Sequence, residues 1–92
     1  MQKPFCLFTF NSRNYAAGAM VTLKRAGIEA AIMPTPRSLT ASCGLAVRVA
    51  PEDGEEALKV LAAFCGRKTI NVYSASIEGG RPVYKETELN VH

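Results

Sequence analysis

The chain has 92 residues and a mass of 9.9 kDa, which allows one small domain with a modest core. A hydrophobic fraction of 48% and a charged fraction of 21% exclude a disordered or low-complexity chain. Eleven basic residues against eight acidic ones leave a net charge of +3, too little to argue for nucleic acid by itself.

The charge is unevenly spread. Residues 1–48 hold six basic residues against Glu29 alone, whereas residues 49–92 hold five basic and seven acidic ones. That asymmetry hints at a cationic face. No apolar run reaches the roughly 18 residues of a membrane span. The opening MQKPFCLFTF has too short an apolar run for a signal peptide and lacks a small-residue cleavage site. The expected location is the cytoplasm, with neither membrane nor nucleic acid as partner.

Residues Phe5–Phe10 (FCLFTF) are short, aromatic and flanked by turn formers, so they read as a buried strand. Asn11 or Ser12 can cap a helix. From there to about Ala26, the apolar residues Ala16, Ala19, Met20 and Leu23 recur at helical spacing, with Gly27 placed to end the helix. The small residues Ala16 to Ala19 thin one flank, so that this helix can lie close to a sheet.

Residues 28–33 read as a second strand, stopped by Pro34 and Pro36, which lack N–H donors. A polar connection over residues 35–42 follows. Residues 45–49 (LAVRV) form a third strand. Pro51 and Asp53 open a second helix, and Asp53 with Glu56 has capping-box spacing. Leu58, Leu61 and Cys65 mark its buried face, and Gly66 ends it. Residues 70–77 are a fourth strand. Glu78-Gly79-Gly80-Arg81 turns into a short fifth strand, which Pro82 forces to an edge.

The expected fold is α+β: a ferredoxin-like βαββαβ antiparallel sheet with two helices on one face, plus a C-terminal hairpin strand. Residues 1–78 make the ferredoxin-like domain, and residues 79–92 the hairpin strand and tail. The sheet face without helices is expected to be open to solvent or to a partner chain, which allows a homodimer.

Three cysteines, at 6, 43 and 65, match no CxxC or zinc spacing, and the one histidine, His92, is the last residue. No metal or cofactor is expected. Cys6, among phenylalanines, and Cys65, on the apolar stripe of the second helix, read as inert core thiols. Cys43 differs. It follows Ser38, Thr40 and Ser42 in a connection and precedes Gly44, which tolerates unusual backbone angles and leaves room for another molecule. Arg37 lies six residues before Cys43 and Arg48 five after it. A guanidinium near a thiol favours the nucleophilic thiolate. The plainer alternative is a small residue at a strand start with arginines nearby by chance. The aromatic first strand does not make an RNA-binding sheet, because GLAVRV has no aromatic residue on the third strand.

The run MPTPRSLTASCG, residues 33–44, followed by LAVRV, resembles the selenium/sulfur carrier protein-like family of short bacterial proteins. Members are similar in their aromatic-rich first strand and in a helix ending in an Ala-Gly-Ile-like run, here Ala26, Gly27 and Ile28. They share a Pro-Thr-Pro-Arg stretch and a Ser-Cys-Gly before an apolar strand that carries an arginine. The likeness covers roughly residues 5–75 and departs at Met20, where the family often has an acidic residue. It implies a cysteine, by position Cys43, that holds sulfur or selenium as a persulfide or perselenide. Arg37 and Arg48 would then stabilise the anionic sulfur and Gly44 would admit the partner. The implied donor is a protein such as a cysteine desulfurase, and the acceptor is a protein of unknown identity. On this reading the chain is a carrier more than an enzyme. Two alternatives stand beside it: a non-catalytic binding or regulatory module for a small anion or a protein, and a redox-sensing thiol protein.

Overall fold

The computed structural model describes residues 3–10, 15–36, 39 and 44–86. Its elements are β1 (Phe5–Phe10), α1 (Tyr15–Arg25), β2 (Ala30–Pro34), β3 (Leu45–Val49), α2 (Gly54–Cys65), β4 (Ile70–Glu78) and β5 (Arg81–Glu86). Single 3-10 turns, Pro51–Asp53 and Arg67–Thr69, precede and follow α2. The five strands form one sheet in the order β2-β3-β1-β4-β5, and every neighbouring pair is antiparallel. Strands β1 and β2 therefore run parallel to each other with β3 between them. Strands β3 and β4 do the same around β1. The helices α1 and α2 are the two crossovers.

Both helices bury against the same sheet face. Ala19 and Leu23 of α1 and Ala57, Leu58 and Leu61 of α2 share a core with Cys6, Phe8, Val47, Val49, Ile70 and Val72. Phe8, Leu23, Leu58 and Leu61 are fully buried, each contributing roughly 1.5–3 kcal/mol of transfer free energy. The thin flank of α1 divides between two neighbours. Ala16 and Ala19 are buried toward the sheet, whereas Gly18 faces α2, where an added Cβ would lie 2.5 Å from the tip of the Phe64 ring.

The α1 C-terminus explains why β2 starts two residues later than the periodicity suggests. Gly27 takes φ +80°, Gly27 N–H donates to Lys24 O at 3.0 Å, and Ile28 N–H donates to Leu23 O at 2.9 Å. This is a Schellman closure, with Ile28 as its apolar second residue. Ile28 is thus occupied in ending the helix and filling the core. Pro34, expected to stop β2, is its last residue instead. Thr35 N–H donates to Gly44 O at 2.9 Å, so in the β2–β3 register the inward-bonding residues are the odd-numbered ones. Pro34 then faces outward at a sheet edge, where its missing N–H costs nothing. The Asn11 and Ser12 caps lie outside the described residues.

The Asp53 capping box does not form. Asp53 has a helical backbone and no side-chain cap hydrogen bond. The Pro51–Asp53 turn satisfies the first donors instead, with Asp53 N–H bonded to Ala50 O and Gly54 N–H to Pro51 O. At the β4–β5 hairpin, Gly79 and Gly80 have φ of +61° and +80°, the paired positive values of a type I′ turn. Pro82 sits on the outer strand, as expected.

The face without helices is not simply open. Leu7 and Ala46, at 0% exposure, join Phe5 and Ala75 in a second buried cluster. Met33, Leu39, Tyr73 and Tyr84 pack around it. The expectation of an exposed face fails because β1 carries large apolar side chains toward both faces. Leu39, from the connection between β2 and β3, helps to cover the second one.

Candidate functional site

Cys43, Arg37 and the hydroxyls Ser38, Thr40 and Ser42 lie outside the described residues. The described position next to Cys43 is Gly44, which leads into β3. Register places Gly44 at one end of the sheet. That end also holds the last residues of β1 and β2 (Phe10, Pro34), the first of β3 and β4 (Leu45, Ile70), the start of α1 and the end of α2.

Gly44 has no left-handed backbone, since the positive-φ glycines are Gly27, Gly66, Gly79 and Gly80. Among the described residues, a Cβ built there would meet Thr35 Oγ1, at 3.5 Å, an ordinary contact. Gly44 thus makes no use of the unusual backbone angles that glycine tolerates. Glycine here leaves space and is half-exposed. Leu45 beside it is 43% exposed. Three aromatic rings run along the helix side of the same end. The Phe10 and Tyr15 centroids are 6.5 Å apart, and Tyr15 meets Phe64 edge-on at 6.1 Å.

The two other cysteines are separated by environment. Cys6 is buried in the main core, and desolvation pushes its thiol above the ordinary value. Cys65, expected to be a sealed core residue, is only half-buried, because it closes α2 at the rim. Its Sγ donates to Leu61 O at 3.5 Å, and Thr69 Oγ1 lies 3.3 Å from Sγ. The same Thr69 hydroxyl is 2.9 Å from Cys65 O and 2.8 Å from Gly66 O, so it stitches the helix end to the turn that follows.

Arg48 is not at the Gly44 end. Four residues of strand separate them, roughly 13 Å at the usual rise. The Arg48 guanidinium lies 5.6 Å from the centroid of the Phe5 ring on the helix-free face. Phe5 is beyond the Cys6–Val49 pair in the register, so the side chain leans further from Gly44. Phe5 in turn meets Tyr84 edge-on at 6.0 Å. Burial pushes the Tyr84 phenol up, and the Arg48 charge partly offsets this.

An open groove of about 930 Å³ occupies this second end of the sheet. Lys3, Lys24 and Arg48 line it together with Glu29, Glu52 and Asp53. Sequence patterning missed this grouping. The parity that puts Phe5 and Leu7 of β1 and Arg48 of β3 on one face, with Lys3 just ahead of β1, was the signal that could have found it. Among the described residues, no group of three His, Cys, Asp or Glu side chains could hold a metal ion. Also among them, no helix is long and apolar enough to cross a membrane.

No curated protein and no solved structure matches the chain. A family model does match, over residues 5–73, a span that runs from the first residue of β1 into β4 and includes Cys43 and Gly44. By that match the chain belongs to the family described as "Putative Se/S carrier protein-like".

Proposed function

We propose that this protein carries a chalcogen atom on Cys43, taking it from a donor persulfide or perselenide and passing it to an acceptor protein. The observation that carries the reading is the family match across residues 5–73, a span that includes Cys43 and the Ser-Cys-Gly run. Cys6 is buried and hard to ionise, and Cys65 is tied into the end of α2. We also read the order β2-β3-β1-β4, with its two interleaved crossovers, as the ferredoxin-like split βαβ arrangement, extended by β5.

In the loading step the Cys43 thiolate attacks the outer sulfur of a donor persulfide. A new sulfur–sulfur bond forms on Cys43, the donor's own sulfur–sulfur bond breaks, and the donor leaves as a thiolate. The proton of the transferred sulfhydryl moves with it, and no net oxidation occurs. Rates follow thiolate fraction and access, as in thiol–disulfide exchange. Gly44 leaves room for the donor beside the reacting residue, and Arg37 supplies positive charge. Arg48, held over Phe5, does not belong to this set. A cysteine desulfurase is the donor class that fits.

The test is incubation with a cysteine desulfurase and cysteine, followed by mass spectrometry of the intact chain and its peptides. One added sulfur on the Cys43 peptide, released by thiol reductant and lost in Cys43→Ser, is the expected result. An adduct that is absent, or that persists in Cys43→Ser, overturns the reading.

A binding module is the second reading, favoured by the groove between Lys3, Lys24 and Arg48 at the end of the sheet away from Gly44. It predicts ligand or partner binding that Cys43→Ser leaves intact and Lys3→Ala with Lys24→Ala weakens.

A further inference from the structure

The two edges of the sheet are unlike. On β5 the edge carries Arg81, Pro82, Lys85 and Glu86, the charges and proline by which edge strands resist pairing. On β2 the edge Ala30–Pro34 reads AAIMP and carries no charge. Its pairing with β3 turns the N–H and C=O groups of the odd-numbered residues inward, as Thr35 N–H to Gly44 O shows. Ala30 and Ile32 therefore present both their N–H and C=O groups outward, whereas Pro34 presents a carbonyl alone.

One large apolar side chain of this edge is exposed as well. Ile32 is 42% exposed. The α1 residues between Tyr15 and Lys24 carry no charge. The strand Ala30–Pro34 itself brings no charge to the contact, and Lys24 and Glu29 border its Ala30 end.

We propose that two copies of this chain pair antiparallel through β2 about a two-fold axis at Ala31, making one continuous ten-stranded sheet. In that register Ala30 N–H donates to the partner's Ile32 carbonyl and Ile32 N–H to the partner's Ala30 carbonyl. The two-fold repeats both bonds, so every outward N–H of the edge is used and no bond falls on Pro34. Antiparallel pairing of one edge with itself is isologous and closes. The guarded β5 edges then lie at the two ends of the joint sheet, so assembly stops at two. The contact is short, at the small end of stable interfaces, and the dimer accordingly depends on concentration. This assignment is independent of the role of Cys43.

Sedimentation equilibrium from micromolar to near-millimolar concentration tests it. The expected mass rises toward twice the 9.9 kDa of one chain. Ile32→Pro removes an outward donor without touching a bond to β3, and Ile32→Lys adds charge at an exposed site. Both are expected to shift the midpoint tenfold or more toward higher concentration. Ala31→Cys, oxidised and peptide-mapped, is expected to yield a bond between the two introduced cysteines, since a non-hydrogen-bonded pair falls within disulfide reach. A monomer at every concentration overturns the proposal. So does a dimer that both Ile32 variants leave unchanged, or mapping that finds no bond between the introduced cysteines.

Discussion

Arg48 covers the ring of Phe5 with its guanidinium 5.6 Å from the centroid, and both residues sit at the end of the sheet away from Gly44. An arginine five residues past Cys43 looks, along the chain, like a group placed to stabilise a thiolate. The strand carries it away: β3 runs fully extended, and the register sets Arg48 opposite Leu7 on the helix-free face. Its contact is a cation–π pair with Phe5 beside Tyr84. Exposed pairs of this kind contribute roughly 0.5–1 kcal/mol. Arg48→Ala is therefore expected to lower stability by about that amount in urea unfolding. Removing the cation also moves the Tyr84 phenol further up, visible as later tyrosinate absorbance in a pH titration. Sulfur loading of Arg48→Ala should equal that of the parent chain. A several-fold loss of loading would return Arg48 to the site.

Cys6 gives the fold a pH dependence whose sign is set by its burial. Its folded-state pKa is raised above the ordinary 9.0 by desolvation. Above the ordinary value the unfolded chain loses a proton that the folded chain keeps, so stability falls as pH rises. The contribution is fully present below about pH 9.0 and is lost progressively as pH climbs through the folded value. Chemical unfolding at pH 8, 9 and 10 should show this fall in the parent chain and a shallower one in Cys6→Ala. Cys6→Ala is itself less stable, since it leaves a small cavity between Phe8 and Val49. Equal pH slopes in the two chains would remove Cys6 as the source. Alkylation of the native protein should likewise be slowest at Cys6.

Local chemistry made most of the architecture legible. Prolines, glycines and apolar spacing located both helices, the β3 strand and the hairpin turn at Gly79 and Gly80. What escaped depended on pairing. Ile28 reads as strand because it is apolar and β-branched, yet the Schellman closure takes its N–H for Leu23 O. Pro34 reads as a stop because its outward orientation is known only once β2 is paired with β3. Asp53 and Glu56 have capping-box spacing, but Pro51 starts a 3-10 turn that supplies the cap from the backbone. The covered second face was foreshadowed in FCLFTF, whose continuous apolar run, rather than an alternating one, signals burial on both sides. For the candidate site, chain position and family likeness single out Cys43 and Gly44. Register was needed to set Arg48 at the end of the sheet away from Gly44.

Gly18 and Phe64 offer a test of how closely α1 and α2 approach. A methyl on Gly18 would fall 2.5 Å from the tip of the Phe64 ring, closer than any real contact, so the ring must move. Phe64 is 41% exposed and can swing outward, at the expense of its edge contact with Tyr15. Against that, alanine in a helix interior is favoured over glycine by about 1 kcal/mol. The two effects oppose each other in Gly18→Ala, whose net change in stability should be close to zero. With Phe64→Ala already in place the ring is gone, and Gly18→Ala should stabilise by about 1 kcal/mol. A double-mutant cycle in urea should therefore return a coupling of about 0.5–1 kcal/mol between the two positions. Independent, additive changes would mean that the Phe64 ring does not rest on Gly18, and that the small residues of α1 serve only its approach to the sheet.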